Sequence, residues 1–539
     1  MLNEAIEVAL LAQDYEHATK LIESLVISRQ TAELQEAFTL RRWSEQLPEG
    51  ILREHPIICV VYASALLFPV DPQREKNYLK IEELLRMAEE RWRAQEFTYG
   101  LGIVSSFRSL TTLWLREMGR AKDYAAQSLA WLPEEDVTWR SISLSVIAAA
   151  DLRAGQLNEV RAATIASLVG HTSTGNSYAL RASKLVLADV CYGQSELHQA
   201  ETLYREVLES SGNDLDDRRK SLLGLAHLSY EWNSLNTAEE QVREALDLSM
   251  NKHYQDEYFQ AKAELFFVCI LHARGSRVEA MQHLQRLLIR VESSAFPTSQ
   301  EVYREALVCQ ALLHLVGGNL SSVQQWLTAR PQSSEALSQV QAEQEDLLMA
   351  RLLLARGGPE EALRLLEHWL VLAQQAGRKR STLEIQVLNA LAYTSLKQIH
   401  EARQQLYKVL ALAQPESYQR LFLDEGQDVA TLLRGLLPTV QESLLRTYIE
   451  SLLQSFNTLS DEKTSDAPPT QASSLLDPLS PQELRVLRLL TTGRSNPEIA
   501  KELFVSVNTV RTQVQSIYHK LLVNNRVEAV EVARRMQLL

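Results

Sequence analysis

Between positions 507 and 521 the apolar residues Val507, Val510, Val514, Ile517 and Leu521 recur at spacings of 3, 4, 3 and 4, which puts them on one face of a helix. The opposite face then presents Asn508, Arg511, Thr512, Gln515 and His519. Side chains of these types can address the edges of nucleic-acid bases, arginine being the natural bidentate partner of guanine and glutamine of adenine. Other chemistry finds no comparable pattern. The chain has no Gly-Lys dipeptide, hence no GxxxxGK[ST] phosphate loop, and neither HExxH nor GxSxG occurs. The twelve histidines are scattered and read as solvated or satisfied side chains. Asp214, Asp216 and Asp217 could suggest a cation site but fit a helix cap better, and the doublets Glu239-Glu240 and Glu360-Glu361 start second helices. The eight tryptophans read mostly as core, with one or two free to line a groove. Cys59, Cys191, Cys269 and Cys309 lie far apart without a CxxC pair, so neither a zinc module nor a disulfide framework is expected, and a reducing compartment is implied.

The elements that position the polar face follow from local signals. Ser480 and Glu483 form an S-x-x-E capping box that opens a helix burying Leu484, Leu487 and Leu490, and Gly493 ends it. Ser495 and Glu498 repeat the box before a short helix that buries Ile499, Ala500 and Leu503. After the turn F-V-S, Ser506 caps the third helix, and a fourth is expected from about Arg526 to Arg535. Two short helices, a tight turn and a polar outer face on the second compose a helix-turn-helix with its recognition helix. On pattern alone, a further packing bundle would read the same way.

Residue-level agreement separates the two. Residues 479–536 contain L-S-P-Q-E, G-R-S-N-x-E-I-A, L-F-V-S, N-T-V-R, K-L and N-R-V-E-A-V in order. The segment resembles the LuxR-type (GerE-type) DNA-binding domain, departing from it at Gln513, usually histidine, and at Leu522, usually glycine. The resemblance implies that Arg511, Thr512 and Gln515 face base edges in the major groove. It places Thr509, Lys520 and Arg526 near phosphates, with Asn508 and Asn496 beside them and Ser506 at the helix N-terminus in the same set. It also implies double-stranded DNA and RNA polymerase as partners, and a homodimer on DNA formed through Val527 to Ala533.

The rest of the chain is a helical repeat. Apolar positions recur every three to four residues from about 97 to 413, and second helices open with AGQLNEV, GQSELHQA, NSLNTAEE, GSRVEA, GNLSSV, GGPEEA and KQIHEA. Their small anchors, Val160, Ala200, Ala238, Ala280, Val323, Ala362 and Ala402, are spaced by 40, 38, 42, 43, 39 and 40 residues, with earlier anchors at Ala18 and Ala125. Paired helices with a period near 40 predict an all-α fold, a TPR-like alpha-solenoid followed by a small four-helix helix-turn-helix domain. Only 19 Gly and 15 Pro in 539 residues agree with a helix-rich chain. Residues 1–456 form the helical-repeat sensor or interaction domain, 457–474 a Ser/Thr/Asp/Pro-rich flexible linker, and 475–539 the DNA-binding domain. The last of these carries nine basic and six acidic residues against a net charge of −13 for the whole, an acidic body with a basic tail. No signal peptide is expected at the N-terminus, and the longest uncharged apolar stretch, 57–68, is too short to span a bilayer, so a cytoplasmic protein without membrane contact is expected.

An acidic solenoid ending in YQRLFLDEG, then a linker and a LuxR-type tail, is similar to the C-terminal part of MalT-like regulators, and WSEQLPEGILREHP resembles another segment of that family. Complete members carry an N-terminal ATPase that this sequence lacks. The expectation is a bacterial transcription regulator, not an enzyme, with no cofactor or metal. Its helical-repeat arm would sense a small molecule or bind a protein on its concave surface. The alternative is a TPR-like scaffold or anti-regulator acting through protein contacts.

Overall fold

Each repeat turns on a single left-handed residue. Gly155, Ser195, Asn233, Gly275, Gly318, Gly357 and Lys397 have φ between 57° and 86°, and each lies five residues before its anchor. At the first of them Gln156 N–H donates to Asp151 O over 2.9 Å and Gly155 N–H to Leu152 O over 3.0 Å, a closure that satisfies the last carbonyls of the preceding helix. The anchor amide then closes the first turn of the next helix, as Val160 N–H does on Gln156 O over 3.1 Å. The anchor side chain is thereby pressed against the preceding helix, and every anchor named above is completely buried. One register differs from expectation. The equivalent position before Val160 is Ala121, whose amide closes on Glu117 O over 2.9 Å. Ala125 lies one turn further along the same face, so spacing of small residues alone could not choose between them.

The computed structural model describes residues 2–28, 34–67, 74–115, 117–175, 177–212, 214–249, 256–292, 297–329, 338–465, 481–491, 494–503, 505–521, 526 and 529. Within them the chain is all-α, with no strand. The N-terminal helices are α1 (Leu2–Leu11), α2 (Tyr15–Ser28), α3 (Leu34–Ser44), α4 (Glu49–Glu54), α5 (Pro56–Leu67) and α6 (Arg74–Ala94). Pairs follow: α7 (Thr98–Trp114) with α8 (Met118–Trp131), α9 (Val137–Ala154) with α10 (Leu157–Thr174), α11 (Ser177–Gly193) with α12 (Leu197–Ser210), and α13 (Leu215–Glu231) with α14 (Leu235–Ser249). The series continues with α15 (Glu257–Ala273) and α16 (Arg277–Glu292), α17 (Pro297–Val316) and α18 (Leu320–Ala329), α19 (Gln339–Ala355) and α20 (Pro359–Gln375), and α21 (Lys379–Ser395) and α22 (Ile399–Ala413). It ends in α23 (Arg420–Leu423), α24 (Gln427–Leu436) and α25 (Ser443–Ser465). The apolar stretch expected at 57–68 is α5, buried in the N-terminal core with Trp43 and Trp92. Among the described residues no helix is long and apolar enough to cross a membrane.

Close packing explains a glycine inside a helix. A Cβ on Gly224, midway along α13, would fall on the ring of Tyr204, whose hydroxyl is held by Asp189. The two helices approach too closely there for any side chain.

The repeats wind round until they meet themselves. Helix α9 packs against α19, α11 against α21 and α13 against α23, five pairs further on. The seam is closed by Leu157 N–H to Ala376 O (2.8 Å), Gln419 N–H to Glu231 O (2.8 Å) and Trp232 Nε1–H to Glu416 O (3.0 Å). First helices of the pairs therefore form the inner wall.

The chain divides into two compact units, 1–458 and 459–539. The linker expected from 457 begins differently, because α25 continues as helix to Ser465. Positions 466–474 lie outside the described residues. In the second unit α26 (Pro481–Thr491), α27 (Asn496–Glu502) and α28 (Val507–Leu521) share one core of Val486, Leu487, Leu490, Ile499, Ala500, Val510, Val514, Ile517 and Ala529.

Candidate nucleic-acid interface

Local signals fix the two helices that carry the site. The carboxylate of Glu498 accepts from Ser495 N–H and from the Ser495 hydroxyl, each at 2.7 Å, so the expected capping box is formed. Those bonds, side chain first and backbone second, hold the Glu498 carboxyl below its usual range. At the head of α28 the Thr509 N–H donates to Ser506 Oγ over 3.1 Å, and the Ser506 and Thr509 hydroxyls pair at 2.7 Å. Ser506 is thus the N-cap, as expected. Val510, Val514 and Ile517 bury the inner face of α28 and Val507 packs partly beside them.

That burial fixes what faces outward. Thr509, Arg511, Thr512 and Gln515 are exposed together along α28, and Asn496 is half-buried at the start of α27. Gln513, the departure noted in the sequence, is half-buried between the two faces. Arg526, expected near a phosphate, has a partner within the unit. Its Nη2 donates to Leu490 O over 2.7 Å, so the guanidinium caps the C-terminal end of α26 and is half-buried there, since a cation is favoured beside exposed helix carbonyls. Arg494 is tied to Glu502 in an ion pair. The side chains of Asn508, Lys520, Leu484 and Leu521 lie outside the described residues, as do Ser480, Gly493, Leu522, the Glu483 carboxylate and all of the fourth helix except Arg526 and Ala529. Ala529, within the stretch expected to mediate dimerisation, is buried in the unit's own core.

The acidic cluster resolves as a cap. Asp214 Oδ1 accepts from Asp216 N–H (3.1 Å) and Asp217 N–H (3.3 Å) at the start of α13, while Arg181, Arg219 and Lys220 pair with the three carboxylates. No group of His, Cys, Asp and Glu suited to a metal occurs among the described residues.

Sequence reasoning missed the polar inner wall of the solenoid. Arg380 bonds Glu231 Oε1 (2.6 Å) and Glu384 Oε2 (3.1 Å), Arg351 bonds Glu384 Oε1 (2.8 Å), and Tyr192 donates to Glu231 Oε1 (3.0 Å). Burial alone would raise the Glu384 carboxyl, but Arg351 and Arg380 outweigh it and hold it below its usual range. The rings of Tyr192, His227, Phe266 and Tyr230 continue that wall. Apart from the i,i+4 pair of Arg380 and Glu384, these contacts join residues far apart in the chain, so no short-range signal announces them.

A helical superhelix and a separate unit whose described helices include α28 with its exposed polar face define a helical-repeat protein carrying a helix-turn-helix. Residues 102–438 match the model of the MalT-like TPR region, and residues 477–533 that of the bacterial regulatory proteins of the luxR family. The chain belongs to the MalT-like TPR family, with a luxR-family segment at its C-terminal end. Among curated relatives it is similar to the HTH-type transcriptional regulator MalT of Yersinia pestis (strain Pestoides F), 29% identical over 203 residues, or 35% of this chain and 22% of the relative. MalT of Yersinia enterocolitica serotype O:8 is 28% identical over 180 residues, 31% of this chain and 20% of the relative. The match thus spans about a fifth of the length of these relatives. Among solved structures, the apo form of the quorum sensor NprR from B. thuringiensis has a TM-score of 0.39 at 12% identity, covering 76% of this chain and 97% of that one. A Rap protein complexed with competence and sporulation factor has a TM-score of 0.37 at 15% identity, covering 77% and 97%.

Proposed function

We propose that the chain is a sequence-specific, DNA-binding transcription regulator whose helical-repeat arm takes a small-molecule or protein effector. The observation that carries this reading is the run of Arg511, Thr512 and Gln515, exposed together on the face of α28 opposite its buried valines. Helix α28 enters the major groove, Arg511 and Gln515 address base edges, and the α28 N-terminus with Ser506 and Thr509 meets a phosphate. Asn496, Asn508 and Lys520 take further backbone contacts. Arg526 acts instead as the brace that holds α26 against its neighbours. The luxR-family match over 477–533 and the family of the repeat region support the reading. The regulator works in the cytoplasm as a homodimer on DNA and acts on RNA polymerase. Residues 475–539 are its reading head, and the inner wall of the solenoid takes the effector.

Selection of bound duplexes from a random-sequence pool with the purified chain tests this. Enrichment of one motif, with binding that weakens as salt rises, is expected. No enrichment at any salt concentration overturns it in favour of a scaffold acting through protein contacts.

A further inference from the structure

Helix α10 faces outward without charge. No Asp, Glu, Lys or Arg occurs between Arg161 and Arg181, which leaves most of α10 and the start of α11 uncharged. On its outer face Ile165 and Val169, 48% and 69% exposed, stand one turn apart with exposed Ala162 and Ala166 beside them. The same register on the next two second helices is charged. Arg205, Glu206 and Glu209 occupy it on α12, and Arg243, Glu244 and Asp247 on α14, all of them exposed. On α8, one repeat earlier, it is held by Ala126, Gln127 and Ala130, exposed and again uncharged. Two neighbouring repeats thus share an uncharged outer patch on a chain of net charge −13. Exposed apolar surface of this kind marks a contact, and the cores of protein interfaces are depleted in charge.

We propose that this patch pairs two copies of the chain about a two-fold axis, α8 against α8 and α10 against α10, each antiparallel to its counterpart. The inference names a surface for the homodimer of the proposed regulator and rests on that reading.

Shape and charge select a second copy as the occupant. A two-fold contact must be complementary to itself. Ile165 and Val169 carry branched side chains among the alanines 126, 130, 162 and 166, so each copy offers both a ridge and the groove that receives it. Charge gives the sense of the pairing. Arg120 and Lys122 are exposed in the first part of α8, and Glu134 and Glu135 are exposed just beyond its end, with Arg120 and Glu134 seven residues either side of Gln127. An antiparallel arrangement brings each basic end to the acidic end of the other copy, whereas a parallel one sets like charges against each other. Arg120 and Lys122 already hold Glu117 and Asp151 within the chain, but neither Glu134 nor Glu135 has an ion-pair partner among the described residues. The two glutamates are therefore the groups that gain. On other outer faces, such as that of α12, two acidic bodies would repel and would have to strip water from charged side chains.

Sedimentation equilibrium of the full chain without DNA tests the pairing. At micromolar concentration the wild type should have twice the mass of one chain. Ile165→Lys and Ile165→Glu each bring like charges together beside the axis, and each should weaken the pair about a hundredfold or more. Both variants should melt as the wild type does, since Ile165 is exposed. Mixed in equal amounts they should pair again, because lysine then meets glutamate across the axis. Glu209→Lys, a charge change in the same register of α12, should leave the wild-type mass intact. A wild type that stays a monomer through the micromolar range, a pair that survives Ile165→Lys, or folded variants that fail to pair when mixed would each overturn the proposal. Enrichment of a duplex motif is read separately, so failure of this pairing and failure of the DNA-binding reading are told apart.

Discussion

Arg380 Nε donates to Glu231 Oε1 across 2.6 Å, joining residues 149 positions apart in the chain. The Glu231 carboxylate is fully buried and also accepts from Tyr192, and Arg380 reaches on to Glu384. Helix α13 is thereby tied to α21 where the superhelix closes. Removing a carboxylate from water costs several kcal/mol, so the seam is favourable only while the guanidinium is in place.

Loss of one partner should therefore cost more than the pair contributes. Arg380→Ala leaves Glu231 buried and uncompensated, and should lower stability by about 3–5 kcal/mol in urea unfolding of the full chain. Replacing both, as Glu231→Met with Arg380→Met, should recover much of that loss because no buried charge remains. A cost for Arg380→Ala under about 1 kcal/mol, the range of an exposed ion pair, would show that the contact does not hold the seam.

Gly224 gives a prediction of opposite sign to its usual rule. Glycine within a helix is ordinarily worse than alanine by about 1 kcal/mol. Here the added methyl would meet the Tyr204 ring, which cannot swing away while Asp189 holds its hydroxyl. Gly224→Ala should destabilise by about 1–3 kcal/mol through overpacking. A rise in melting temperature would mean that α12 and α13 can move apart freely.

His227 should make the solenoid acid-labile. Burial first, then the charges of Lys262 and Arg380, push its imidazole down to about 3, with the Phe266 ring centroid 3.7 Å away. An unfolded chain takes up that proton near its ordinary value of about 6.5. The contribution is therefore intact above about 6.5 and is lost as pH falls towards 3, by at most about 1.4 kcal/mol per unit. His227→Phe keeps the ring and removes the titration, so its melting temperature should fall less than that of wild type between about pH 7 and about pH 5. Equal falls in both proteins would place the acid lability elsewhere.

How much was legible in the sequence depended on how far apart the partners are. Val160 and Ala402 were legible as anchors because one close approach per repeat demands a small residue at a fixed place. The box of Ser495 and Glu498 was legible because it is complete within four residues. The tryptophans read mostly as core, yet the Trp232 indole N–H crosses the seam to Glu416 O, and no local pattern says so. Glu231 and Arg380 meet only through the summed rotation of several repeats, a quantity that no single repeat encodes. Arg526 was legible only as a basic residue near phosphate; its bond to Leu490 O was not, because a cation next to a recognition helix serves phosphate and helix carbonyl alike.

Two basic residues of α28 should fail in different ways on DNA. Arg511 is exposed in line with Thr512 and Gln515, one turn into the helix, where the proposed docking would let a guanidinium reach a guanine edge. Losing such a bidentate contact costs about 1–3 kcal/mol and relaxes discrimination at a single base position. Lys520 comes nine residues later, next to the last residue of α28, where the proposed docking would bring the phosphate backbone nearer than the groove floor. Lys520→Ala should weaken matched and mismatched duplexes alike and lower the slope of binding against salt by about one unit. Titrations of Arg511→Ala and Lys520→Ala against both duplexes at several salt concentrations read both effects at once. If Arg511→Ala kept its base preference while Lys520→Ala lost it, α28 would be docked with its other end in the groove and the roles of its residues would be exchanged.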